Sequence, residues 1–124
     1  LVSALRYGEN PQQKAEWYAT AQAGLHRAEI LQGKPLSYNN ILDLQAACST
    51  ARLFRGPTAV AIKHNNPCGI ASNDNKTQAL RLALQSDPVS VFGGIVALNF
   101  KLGAIEAEML QEIFLECIVA PEVA

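Results

Sequence analysis

Lys63 and His64 stand side by side where the apolar run Thr58–Lys63 meets Asn65-Asn66-Pro67-Cys68-Gly69. A lysine can hold positive charge against developing negative charge or protonate a leaving nitrogen. An imidazole beside it is favoured in its neutral form, which accepts a proton. Adjacent residues of a strand point to opposite faces, so the two cooperate only where the strand is already breaking, and the NNPCG stretch supplies the break. The same residues also fit a surface turn with a solvated lysine and a hydrogen-bonded histidine. Both readings stay open on these residues alone.

Other stretches offer chemistry of lower specificity. In Arg6-Tyr7-Gly8-Glu9-Asn10-Pro11 a guanidinium that can grip a phosphate sits beside a phenol that can stack on a base, or the loop simply docks on its own domain. Phe92-Gly93-Gly94 could let a ligand approach bare backbone with an aromatic ring at its flank, or be a glycine turn leading into a strand. Glu116 could bind an amine or amide donor, or lie exposed at a strand edge. Cys117 reads as a small buried apolar residue rather than a nucleophile. A zinc nucleobase deaminase would need H-x-E with P-C-x-x-C; here Asn66 stands two places after His64, and Ala71 stands where the second cysteine should fall. No G-x-x-x-x-G-K-[ST] phosphate loop is present.

The elements that must hold these residues follow from periodicity and breakers. EWYA reads as a short strand, and AEILQGKPLSYNN as irregular chain with turns at Gly33 and Pro35. Asn39 or Asn40 is expected to cap a helix that places Ile41, Leu44, Ala47, Ala51 and Phe54 on one face and ends at Gly56-Pro57. TAVAIK is a buried strand. NDNKTQALRLALQS is a helix, with Asp74, Asn75 or Thr77 as cap, and DPVSVFGG is a turn. GIVALNF is a second buried strand, residues 104–114 form a third helix, and CIVA is a final strand before Pro121. Strand, helix, strand, helix, strand predicts an α/β layer with right-handed connections and ligands at the carboxyl ends of its strands.

The 124 residues suffice for one modest domain. A formal charge of −1 argues against a broad nucleic-acid surface but not against a local phosphate site. No stretch has the pattern of a membrane span or a signal peptide. Three widely spaced cysteines suggest reduced thiols in a cytoplasmic protein. The chain starts without methionine and stops just after its last strand, where a covering helix is expected, so a fragment is expected.

LRYGENPQQ, LQGKPLSYNNILDLQAA, IKHNNPCGIA, DPVSVFGGIVALN and IVAP occur in this order over nearly the whole chain. Together they resemble the first part of the transformylase region of the bifunctional purine-biosynthesis family that joins 5-aminoimidazole-4-carboxamide ribonucleotide (AICAR) formyltransferase to inosine monophosphate (IMP) cyclohydrolase. The resemblance implies formyl transfer from 10-formyltetrahydrofolate, a co-substrate, to the 5-amino group of AICAR, with no metal. His64 is then the proton acceptor and Lys63 stabilises the transition state. Arg6, Tyr7, Asn40, Phe92, Gly93 and Glu116 match positions at the nucleotide site. The implied fold is a cytidine-deaminase-like three-layer α/β unit spanning residues 1–124, the first of two in a homodimeric enzyme. The cyclohydrolase domain and the second unit, expected to supply most of the folate site, are absent from the chain. Gln12 stands where many relatives have histidine. A folded but non-catalytic fragment or dimerisation module is the alternative, with a zinc deaminase more remote.

Overall fold

The structure is a computed structural model and describes residues 3–4, 16–17, 31 and 36–123. Arg6, Tyr7 and Gln12, and the turns expected at Gly33 and Pro35, lie outside the described residues. The chain divides into two compact units, Leu1–Ile41 and Leu42–Ala124. In the first, β1 (Ser3–Ala4) pairs antiparallel with β2 (Glu16–Trp17), which is the strand expected in EWYA.

Helix α1 (Tyr38–Ala51) begins in the first unit. Ser37 caps it, rather than Asn39 or Asn40. The Asn40 N–H donates to Ser37 Oγ at 3.2 Å, and the Ser37 N–H donates back to Asn40 Oδ1 at 3.1 Å. This reciprocal pair is a capping box with asparagine in the place usually held by Glu or Gln. Leu44, Ala47 and Ala51 are buried as their spacing predicts, but the helix ends at Ala51, and Phe54 lies beyond it and exposed.

The second unit is built on one four-stranded sheet in the order β4-β3-β5-β6, formed by β3 (Thr58–Lys63), β4 (Asn66–Ser72), β5 (Ile95–Leu98) and β6 (Cys117–Val119). Three helices intervene: α2 (Lys76–Ser86), α3 (Pro88–Val91) and α4 (Ala104–Gln111). The fold is mixed α/β, as expected, but two details differ. The NNPCG stretch is mostly strand, with only His64 and Asn65 in the turn. Its polar and proline residues disguise β4 because it is an edge strand, where a proline removes no needed ladder bond. DPVSVFGG contains a one-turn helix, with Pro88 at its first position and Asp87 as its cap. Consequently β4–β3 and β3–β5 are antiparallel, and only β5–β6, joined through α4, is parallel.

Alternation sorts the strand residues into two buried faces. Ala59, Ala61, Val96 and Leu98 pack with Leu80, Ala83 and Leu84 of α2, Val91 of α3 and Leu110 of α4. Val60, Ile62, Ile95 and Ala97 are equally buried on the opposite face. Two hydrogen bonds attach α1 to the segments that flank β3. Asp43 accepts from the N–H of Asn65 at one end of β3, and Ala51 O accepts from Asn99 Nδ2 beyond the other. Among the described residues, no helix is long and apolar enough to cross a membrane.

Side-chain hydrogen bonds close the layers. Asn99 Oδ1 accepts from Thr58 N at 2.7 Å while its Nδ2 donates to Gly56 O at 2.9 Å, joining the loop after α1 to β3 and β5. Buried Glu106 of α4 accepts from Thr77 Oγ1 at 2.8 Å and from Gly103 N at 3.1 Å, with Lys76 Nζ 3.8 Å away, so it ties the start of α4 to the start of α2. Helix α2 lies directly on Gly69 of β4, where an added Cβ would overlap Ala83 O.

Gly69→Ala should lower stability in urea unfolding by about 3 kcal/mol, the upper range for overpacking, whereas Gly56→Ala, with open space around it, should change it by less than about 0.5 kcal/mol. Asn99→Ala should cost about 2 kcal/mol by leaving the Thr58 N–H unpaired.

Candidate functional site

The sheet end at which β3 stops collects the candidates from three strands. Lys63 is the last residue of β3 and pairs with Asn66, the first of β4. The turn between them has only two residues, His64 and Asn65, with φ of 53° and 64°. Positive φ at both central residues is the type I′ hairpin arrangement, whose twist matches that of the strands it joins. Histidine and asparagine are among the side chains that tolerate this left-handed region best. His64 is thereby turned out of the strand into solvent, exposed, and no described residue hydrogen-bonds its imidazole. Two bonds hold the turn backbone. Asn66 Nδ2 donates to His64 O at 3.1 Å, and the Asn65 N–H donates to Asp43 Oδ1 at 2.7 Å.

Lys63 reaches sideways. Its Nζ donates to Phe92 O at 2.8 Å and lies 3.9 Å from where a Cβ on Gly93 would sit. Gly93 has φ +78°, open to glycine and strained for other residues. Its N–H donates to Phe114 O at 2.8 Å, and the rings of Phe92 and Phe114 lie 5.5 Å apart at 50°. Both rings are more than half exposed. The result is a tilted aromatic pair beside a cation held on a main-chain carbonyl. Helix α3 sets this up: Asp87 accepts from Ser90 N and Ser90 Oγ, interactions that hold its carboxyl below the usual range. The helix then delivers Phe92 and Gly93 to the start of β5.

Glu116 stands just before β6, on the far side of Gly94 from Lys63. Its N–H donates to Gly94 O at 2.8 Å. Gly94 is pressed against β3, since an added Cβ would lie 2.8 Å from Ile62 O and 3.6 Å from Lys63 Cβ. Lys63, at the end of β3, and Glu116, just before β6, thus flank one residue without a side chain, and β3 and β6 lie about 10 Å apart.

Of the residues singled out in the sequence, the structure brings together Lys63, His64, Phe92, Gly93 and Glu116. Asn40 belongs to the first unit, where its side chain serves the cap of α1. The candidates do not gather at the carboxyl ends of parallel strands, as expected; β5 and β6 begin where β3 ends. Two contributors were not singled out. Phe114 gave no signal because its ring partner lies 22 residues away, and Asp43 gave none because an aspartate early in a helix looks like an ordinary solvated residue. Cys68 lies in the bulge of β4, its Sγ 3.5 Å from Ala61 O, and burial foremost pushes its thiol pKa up, which makes it a poor nucleophile. Among the described residues, no three His, Cys, Asp or Glu side chains are grouped to hold a metal ion.

Substituting Asn65 by valine should cost about 1–2 kcal/mol, because a β-branched residue is strained at φ 64°; Asn65→Gly should leave stability within about 0.5 kcal/mol of wild type, glycine's ease at positive φ offsetting its entropy. The contribution of the Asp87 cap should be fully present at neutral pH and lost as pH falls through the carboxylate range, because its folded-state pKa is the lower one. Comparing wild type with Asp87→Ala in acid unfolding checks this: the two stabilities should converge at low pH.

The whole chain, residues 1–124, matches the family model described as AICARFT/IMPCHase bienzyme. It is 52% identical to the bifunctional purine biosynthesis protein PurH of Prochlorococcus marinus over 98% of its length and 26% of the relative's. The PurH of Caldicellulosiruptor saccharolyticus is also 52% identical, over 98% of this chain and 25% of its own. That of a Synechococcus species matches at 52% over 100% and 25%. The chain therefore spans about a quarter of the length of the curated relatives it matches. Conformity along every one of its residues, with half of them identical in these relatives, leaves one assignment: the chain belongs to the AICARFT/IMPCHase bienzyme family.

Proposed function

We propose that this chain carries the nucleotide-binding and catalytic-base part of an AICAR formyltransferase, which moves a formyl group from 10-formyltetrahydrofolate to the 5-amino group of AICAR. The observation that carries this reading is the grouping of Lys63 and His64 with Phe92, Gly93 and Glu116 at one sheet end, in a chain of this family. An amine conjugated with an imidazole carboxamide is a weak nucleophile. As its nitrogen attacks the formyl carbon, the exposed imidazole of His64 takes the proton that must leave. The new C–N bond converts the carbonyl into a tetrahedral adduct with charge on oxygen. Lys63, moving its ammonium a short way off the Phe92 carbonyl, stabilises that charge. Collapse of the adduct breaks its bond to the folate nitrogen, which departs with a proton.

The remaining roles belong to the same reading. Phe92 and Phe114 offer a flank for a flat heterocycle, the backbone at Gly93 admits close approach, and Glu116 accepts from an amine or amide. Arg6 and Tyr7 would hold the nucleotide, and Asn40 would line the site. The parent enzyme is read as a cytoplasmic homodimer whose transformylase has two cytidine-deaminase-like units. This chain is the first of them, and the partner unit supplies most of the folate contacts. The chain's share of about a quarter of its relatives' length favours a second reading, a folded module that holds part of the site without turning over substrate.

Calorimetric titration of the chain with AICAR should give saturable one-site binding that weakens at least tenfold in the Lys63→Ala/His64→Ala double variant, the loss of one charged hydrogen bond being worth roughly that much. Binding without formyl transfer supports the module reading. No binding by a chain shown to be folded tells against a preformed nucleotide site.

A further inference from the structure

Among the described residues, one side chain from outside the hairpin holds the turn that bears His64. Asp43 Oδ1 accepts the Asn65 N–H at 2.7 Å, a charge-assisted bond that is shorter and stronger than a neutral one. Helix α1 is fixed at its far end by Asn99, so the carboxylate is delivered by a braced element. Both turn residues occupy left-handed backbone, a region that costs a residue with a side chain about 1–2 kcal/mol. A bond to the N–H of the second turn residue favours that conformation over alternatives that would swing the first residue's imidazole elsewhere.

We propose that Asp43 is a positioning residue: its carboxylate, through the Asn65 N–H, holds the left-handed turn that aims the His64 imidazole. This rests on the reading of His64 as the proton acceptor. Asp43 touches no reacting atom. It acts on the direction of the imidazole, and it is the hydrogen-bond acceptor at Oδ1, more than the charge, that matters.

The test uses the 124-residue chain with Asp43→Ala, with Asp43→Asn, and with Asp43→Ala joined to Asn65→Gly. In Asp43→Ala the Asn65 amide should exchange with solvent roughly tenfold faster or more, the loss expected for a bond to a charged group. The amides of Val60 and Val96 should keep their protection, reporting an intact sheet. The His64 ring resonances should shift in Asp43→Ala. They should stay near their wild-type positions in Asp43→Asn, whose amide oxygen can still accept. They should return in the double variant, because glycine reaches φ 64° without an anchor. A side chain that only stabilised the helix would not be rescued at residue 65. Affinity for AICAR, measured alongside, should fall in Asp43→Ala and recover in the double variant. Unchanged Asn65 exchange, loss of protection at Val60 and Val96 as well, or His64 resonances that stay displaced in the double variant would overturn the proposal. A folded wild-type chain that binds no AICAR tells against the proposed function, while the resonances and exchange rates still decide the part played by Asp43.

Discussion

A loop of two residues between β3 and β4 is the constraint from which most of the second unit follows. With only His64 and Asn65 to reverse the chain, Lys63 must face Asn66, and the register of the hairpin is set from its tip. That register cannot run unbroken to the other end. Ala61 pairs with Gly69 and Ile62 with Pro67, which leaves Cys68 as the extra residue of a bulge. The bulge brings Gly69, and no larger residue, under the backbone of α2 at Ala83. Turn, bulge and helix seat are one linked set, so the tightness at Gly69 is the distant consequence of the tightness at His64.

The candidate site is assembled mainly from backbone. Lys63 rests on a carbonyl, Gly93 donates to another, and Glu116 is placed by its N–H on Gly94. Side chains supply the chemistry, but main-chain hydrogen bonds set where they emerge. This matters for a residue such as Lys63, whose four-carbon stem would otherwise sample many rotamers. The carbonyl of Phe92 gives its ammonium one resting place beside the aromatic pair.

What could be read in the sequence was what repeats. The apolar alternation of TAVAIK and the helical spacing in ALRLAL located β3 and α2, and Asn75 was among the expected caps. What could not be read depended on contacts far apart in the chain. Phe54 continued the spacing of α1, yet the helix stops at Ala51, and the loop that follows is held by Asn99, 43–48 residues away. Asn66–Ser72 lacked any strand pattern because an edge strand with a bulge needs none. At the site, Lys63, His64 and the FGG turn were visible as residue types. The ring of Phe114 and the carboxylate of Asp43 were not, because nothing local distinguishes them from surface residues.

Gly94 lies between Lys63, at the end of β3, and Glu116, just before β6, with main chain closing around it on two sides. The surface between the two residues is consequently main chain at Gly94, and a side chain placed there would meet Ile62 O and Val91 O and push β3 away from β5. Any adaptation of this surface to a differently shaped molecule has to come from the rim, through the rings of Phe92 and Phe114 or the ends of Lys63 and Glu116. Selection can change those side chains, but the backbone between them is fixed by the sheet.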